Sequence, residues 1–288
     1  MIQEIVAGFS MGCIYALAGF GFVLVYNAVG AVNFAHGELV MFGGYFGYAF
    51  STHLGMPLWL AFVVTLLAMA ILGILFNQVA YLPIRSRPVS TVIIASIGMS
   101  ILLRNSALAI WGPDPLKLNS FLGDSVIKIG AAVISRHQLL IFAVTAFVFT
   151  GQSLFFSRTA IGRKLQATAQ DQEAAKLMGI KVTRMINLTF VLAAFLAVIA
   201  GFLVAPLWFL DPEVGLAIIV KAFIAIIIGG FGSIPGLVVG GIFLGLTEVL
   251  VASHLTSEYK DVISFFILIT VLMAMPQGFF GEKIAEKV

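Results

Sequence analysis

"LWLAFVVTLLAMAILGILFNQV", residues 58–79, is a run of 22 residues without one acidic or basic side chain. At about 1.5 Å of rise per residue, such a run coiled as a helix is roughly 30 Å long, the thickness of the hydrocarbon core of a bilayer. A strand would cross the same layer with about ten residues and would alternate lipid-facing and inward-facing types, which this stretch does not do. Hydrocarbon offers the backbone no water, so the segment must satisfy its own amides and carbonyls, and a helix does so.

The same reading extends along the chain. Apolar blocks bounded by turn signals fall near residues 5–26, 34–50, 58–79, 91–111, 138–157, 186–207, 217–232, 235–252 and 261–280. The second and seventh are short, and each reads either as a full span or as a broken one packed among its neighbours. The expected fold is all-α: one domain over residues 1–288, a polytopic transmembrane helical bundle of eight to nine spans. Composition agrees, because 61% hydrophobic and 10% charged residues lie far from the norm for soluble domains. The first block has neither the basic flank nor the cleavage site of a secretory leader and reads as a retained span. Cys13 is the sole cysteine, so no intramolecular disulfide and no thiolate metal site is expected. The formal charge of +3 is small and dispersed; nucleic acid is not an expected partner, whereas membrane lipid is.

Basic residues concentrate at Arg85 and Arg87, along residues 158–184, and at Lys283 and Lys287. These three regions are expected in the cytoplasm. The loop 112–137, with Asp114 and Asp124 against Lys117, Lys128 and Arg136, is nearly balanced and is expected outside. With nine spans the N-terminus is then also outside.

Glycines recur four residues apart at Gly8 and Gly12, Gly43 and Gly47, Gly232, Gly236 and Gly240, and Gly241 and Gly245. Small residues on one helix face let backbones approach closely in lipid. In "GGFGSIPG", residues 229–236, the glycines and Pro235 predict a break, read as a tight turn between two antiparallel spans.

Residues 158–184 read "RTAIGRKLQATAQDQEAAKLMGIKVTR". Asp171 is placed to cap a helix, Glu173 falls in its first turn, and Ala174 and Ala175 follow. Gly179 supplies the stop. The prediction is a cytoplasmic helix of about eight residues, roughly 12 Å long. Its apolar side is Ala174, Leu177 and Met178, flanked by Lys176 and Lys181, a ridge that suits a groove on another protein.

The stretch "EAAKLMG", Glu173 to Gly179, resembles the EAA-x3-G signature of ATP-binding-cassette permeases, although the usual downstream Ile-x-Leu-Pro is replaced by "NLTFV" at 187–191. "AVNFAHGE", residues 31–38, and "GGFGSIPG" further resemble the branched-chain amino acid permease family, in particular its LivH-type subunit. The resemblance runs through nearly the whole chain. It implies an importer subunit of the bacterial inner membrane. Its partners would be a second homologous permease, two ATP-binding subunits and an extracytoplasmic solute-binding protein. ATP and Mg would be bound by those partners, and the solute would be a branched-chain or other small aliphatic amino acid. Read directly, the chain has no GxxxxGK[ST] phosphate loop, no HExxH motif and no cofactor site of its own. Two alternatives stay open: a stand-alone secondary transporter or channel using the intramembrane Glu and His as proton sites, and a related permease for urea or short amides.

Ionisable groups inside spans are functional candidates by default. Asn33, His36 and Glu38 stand at the opening of the second span. His36 and Glu38 are assigned to fixing its structure, bonded to each other, Asn27 or Asn33, rather than to solute contact. Arg104 and Asn105 lie midway along the fourth span, where a guanidinium must face a cavity or a carboxylate. Lys221 lies in the seventh and Glu248 toward the outer end of the eighth; either can snorkel to the interface, and Glu248 is the one expected to.

Overall fold

The computed structural model describes residues 1–281 other than Asp124, Gly130, Ala131 and Ser257. Asp124, Lys283 and Lys287, used above to weigh the loops, lie outside the described residues. Every predicted apolar block is helical. In chain order the helices are α1 (Ile2–Val29), α2 (His36–Tyr48), α3 (Leu58–Phe76), α4 (Val89–Trp111) and α5 (Arg136–Arg158). Two short helices, α6 (Ala160–Gln170) and α7 (Gln172–Leu177), precede α8 (Val182–Val204), α9 (Val214–Gly229), α10 (Ile234–His254) and α11 (Tyr259–Ala274).

Among the described residues six helical stretches are long and apolar enough to cross a membrane: Ile2–Val29, Leu58–Ile84, Val89–Trp111, Arg136–Arg158, Val182–Val204 and Ile234–His254. This is a multi-pass membrane protein. The helices α2, α9 and α11 have 13, 16 and 16 residues, shorter than a free span requires. The π-helical turn Ala49–His53 lengthens α2, and another, Asn77–Tyr81, lengthens α3. At the second, the Asn77 amide bonds the side-chain oxygen of Asn187 on α8.

The bundle is built around α1, which touches α2, α5, α6, α8, α9 and α10. Its closest partner is α10, and the predicted small residues explain why. A Cβ on Gly12 would lie 2.6 Å from the Cα of Ile242, and Gly8, Gly241 and Gly245 occupy the same seam. Any side chain there would force the two backbones apart. Gly43 and Gly47 face Val198 and Phe202 of α8 in the same manner.

The break at 230–233 is a turn, as expected, joining antiparallel α9 and α10. Ser233 caps α10 by accepting from the Gly236 amide at 3.2 Å, and Asn27 donates to the Gly232 carbonyl at 3.3 Å. The all-α expectation needs one correction. The loop between α4 and α5 carries an antiparallel hairpin, β1 (Val126–Ile129) with β2 (Ala132–Ser135). The β-branched residues Val126, Ile127, Ile129, Val133 and Ile134 favour strand wherever the chain is not held in a helix. Leu116 of this loop pairs through both backbone groups with Leu210, tying it to the α8–α9 connection. The His137 ring joins Ser120 Oγ and the Leu203 carbonyl at 2.9 and 2.8 Å.

Candidate functional site

Three features stand out: a short helix outside the bundle, a broken opening of α2, and a charged cluster shared by α1, α9, α10 and α11. The short helix is α7. Asp171 Oδ1 accepts from the amides of Glu173 and Ala174 at 2.8 and 3.0 Å. At the other end Gly179 adopts φ 79°, while its amide and that of Ile180 return to the carbonyls of Lys176 and Ala175. Both predicted stops are in place, but the helix has six residues, Gln172–Leu177, rather than about eight, because the C-terminal turn closes on Lys176. Ala175 is buried, and the Gln172 amide donates to the Ala28 carbonyl in the last turn of α1 at 2.8 Å. Leu177 and Met178 point the other way, 88% and 82% exposed, with Glu173, Ala174 and Lys176 also exposed. An apolar pair thus stands exposed on a short helix that is capped at both ends and held to α1.

The opening of α2 is not at the bundle's end. The His36 ring, fully buried, packs against Gly21 in the interior of α1 and near the Ala193 carbonyl in the interior of α8. The chain from Gly30 to Ala35 is therefore non-helical within the bundle, and its backbone must find partners there. Asn33 Oδ1 accepts from the Ala35 amide at 3.1 Å, and the Phe34 amide donates to Ser96 Oγ of α4 at 3.2 Å. Glu38 falls in the first turn of α2, where the helix dipole favours an anion.

The expectation that Glu38 bonds His36, Asn27 or Asn33 is corrected: it is buried and accepts from Ser100 Oγ at 2.9 Å. Arg104 Nε lies 3.8 Å from it, and Arg104 also bonds the exposed Glu213 at 2.9 Å. The guanidinium thus faces carboxylates, as its place in a span requires. Ser96, Ser100 and Arg104, each one turn apart, make one polar seam along α4. Asn105, one residue further round, is exposed and bonds only the Ile101 carbonyl of its own helix at 2.7 Å, so it does not join the site.

The third feature was only half visible. Lys221 is buried and bonds Glu248, Asp261 at 2.6 Å and Ser264 Oγ at 3.3 Å. Glu248 also accepts from Tyr15 at 2.6 Å and from Ser264 at 2.8 Å. It does not snorkel: it is 6% exposed, because α11 and α1 bring donors to it inside the bundle. Asp261, Ser264 and Tyr15 went unread, since nothing local in the sequence ties them to Lys221. The usable signal was a basic and an acidic residue in adjacent antiparallel helices, which seek one another in hydrocarbon.

The family described as "Branched-chain amino acid transport system / permease component" matches residues 4–272. The chain belongs to this permease family. It is 37% identical to the high-affinity branched-chain amino acid transport system permease protein BraD of Pseudomonas aeruginosa, over 100% of this chain and 98% of that protein. It is likewise 37% identical to the permease protein LivH of Escherichia coli, over 100% and 97%. Among solved structures a chain of PsaBC from Streptococcus pneumoniae, in complex with Fab, superposes with TM-score 0.51 at 15% identity, over 96% of this chain and 92% of that one. That likeness concerns the fold alone.

Proposed function

We propose that this chain is the permease subunit of an ATP-driven importer of branched-chain or similarly small aliphatic amino acids in the bacterial inner membrane. In this reading it pairs with a second homologous permease and receives solute from an extracytoplasmic binding protein. Two ATP-binding subunits, which hold ATP and Mg, drive the cycle. α2, α9 and α11 complete a nine-span topology, with α7 in the cytoplasm and the hairpin outside.

The observation that carries the reading is α7, a rod whose outer face offers Leu177 and Met178 and whose inner face is bonded at Gln172 to the end of α1. Closure of the ATP-binding subunits on that ridge would pull α1 and, through Gly30 to Ala35, the start of α2. A rigid-body tilt of this kind switches access from one side to the other. Asn33, His36, Glu38, Arg104 and Lys221 act as positioning residues that hold the tilting parts in register.

Single cysteines at residues 171–178, cross-linked in native membranes, test this. Adducts with an ATP-binding subunit are expected at Leu177 and Met178, and their absence along the whole rod overturns the proposal. Leu177→Glu and Gly179→Pro are expected to abolish ATP-driven uptake while leaving the yield of inserted chain intact. The isolated chain in liposomes is expected to show no uptake under an ion gradient; uptake there favours the secondary-transporter reading.

A further inference from the structure

Helix α5 stands partly off the bundle. Between it and α1, α8 and α10 lies a cavity of about 540 Å³, with Leu24, Phe156 and Leu192 among its apolar walls. A second cavity of about 210 Å³ shares these three residues and Gln152 with the first, so the two form one elongated space along α5. Gly151 lines the smaller part, and a Cβ there would meet nothing within 4 Å. The neighbouring outer face of α5 exposes Phe147 and Leu154. The space therefore opens sideways, toward whatever surrounds an apolar span, which is lipid rather than water.

Its chemistry changes along its length. Gln152 Nε2 is buried and has no hydrogen-bond partner within the chain, and a buried amide NH₂ calls for an acceptor. Beyond it Ser157 and Gln166 line the space. Arg158 follows Ser157, and Arg163 lies one turn before Gln166 on α6; both are exposed. α6 buries Leu165 and Thr168 and exposes Arg163 and Lys164, the build of a helix lying along a membrane surface. Apolar walls, a neutral donor and then two exposed arginines that adjoin the lining in sequence follow the order of parts in a phospholipid.

We propose that this space binds an anionic glycerophospholipid. One acyl chain lies between α5 and the α1, α8 and α10 walls, an ester carbonyl accepts from the Gln152 amide, and the phosphate rests at Arg158 and Arg163. Basic sites between membrane helices at the cytoplasmic face select anionic headgroups in this way. Native mass spectrometry of the intact transporter complex, offered phosphatidylglycerol and phosphatidylethanolamine in equal amounts, reads the site. The unaltered protein is expected to retain phosphatidylglycerol, and Gly151→Trp, which places an indole at the smaller part of the space, to retain less of it. The double variant Arg158→Glu/Arg163→Glu is expected to lower the preference for phosphatidylglycerol on the order of tenfold while still retaining phosphatidylethanolamine. Equal retention by the unaltered protein and Gly151→Trp, an unchanged preference in the arginine variant, or a polypeptide cross-linking at residue 151 in place of lipid overturns the proposal. If Gly151→Trp does not assemble, Gln152→Leu makes the same comparison, with reduced retention expected and unchanged retention overturning it.

Discussion

The carboxylate of Glu248 takes hydrogen bonds from Tyr15, Lys221 and Ser264, whereas that of Glu38 takes one, from Ser100, and its Oε2 has no partner within the chain. Both are buried. The cation beside Glu248 is itself buried and fully engaged, while the cation near Glu38 is Arg104, more distant and shared with the exposed Glu213. The first cluster joins four helices into one unit. The second links α2 and α4 to Glu213, just before α9, through the longer and shared contacts of Arg104. In the proposed cycle the parts that tilt are rigid within themselves and yielding between one another, and the two kinds of join would supply the two properties.

The largest effect is expected where the rigid cluster is opened. Lys221→Met leaves Glu248 and Asp261 without their cation and should cost about 3–5 kcal/mol in thermal unfolding of the purified chain. Adding Glu248→Leu should recover much of that loss, and a double variant no more stable than the single would mean that the charges do not act as a pair. Next comes His36→Ala, expected to cost about 2–4 kcal/mol by leaving a void against Gly21; a loss smaller than that of Arg104→Met would show that the α2 opening is held by charge rather than packing. Arg104→Met is expected to cost about 1–2 kcal/mol, because Ser100 still serves Glu38, and to change the uptake rate more than stability. The smallest effect belongs to Glu213→Gln, within about 0.5 kcal/mol in the same unfolding assay, since its side chain is exposed. If that variant proves as damaging as Lys221→Met, the contrast between the two clusters is wrong.

Much of the fold was legible because hydropathy and length suffice to place helices in lipid. Asp171 and Gly179 marked the ends of α7, since capping is local chemistry. What escaped was phase and distance. Ser96, Ser100 and Arg104 recur four apart and so share a face of α4, but nothing local says that this face, rather than that of Asn105, turns toward Glu38. Glu248 was placed at the interface because its partners lie on helices distant in sequence, Tyr15 by 233 positions. The depth of His36 was likewise hidden, because the sequence does not show that the chain climbs into the bundle before α2 begins.

One feature of the chain's end bears on how the protein is made. The amides of Phe279 and Phe280 donate to the carbonyls of Ile228 and Gly229, both at 2.9 Å, capping the end of α9. These carbonyls are laid down some fifty residues before their donors are synthesised. α9 therefore gains these two bonds only after residue 280 has been synthesised, so this corner of the molecule closes later than the helix it caps.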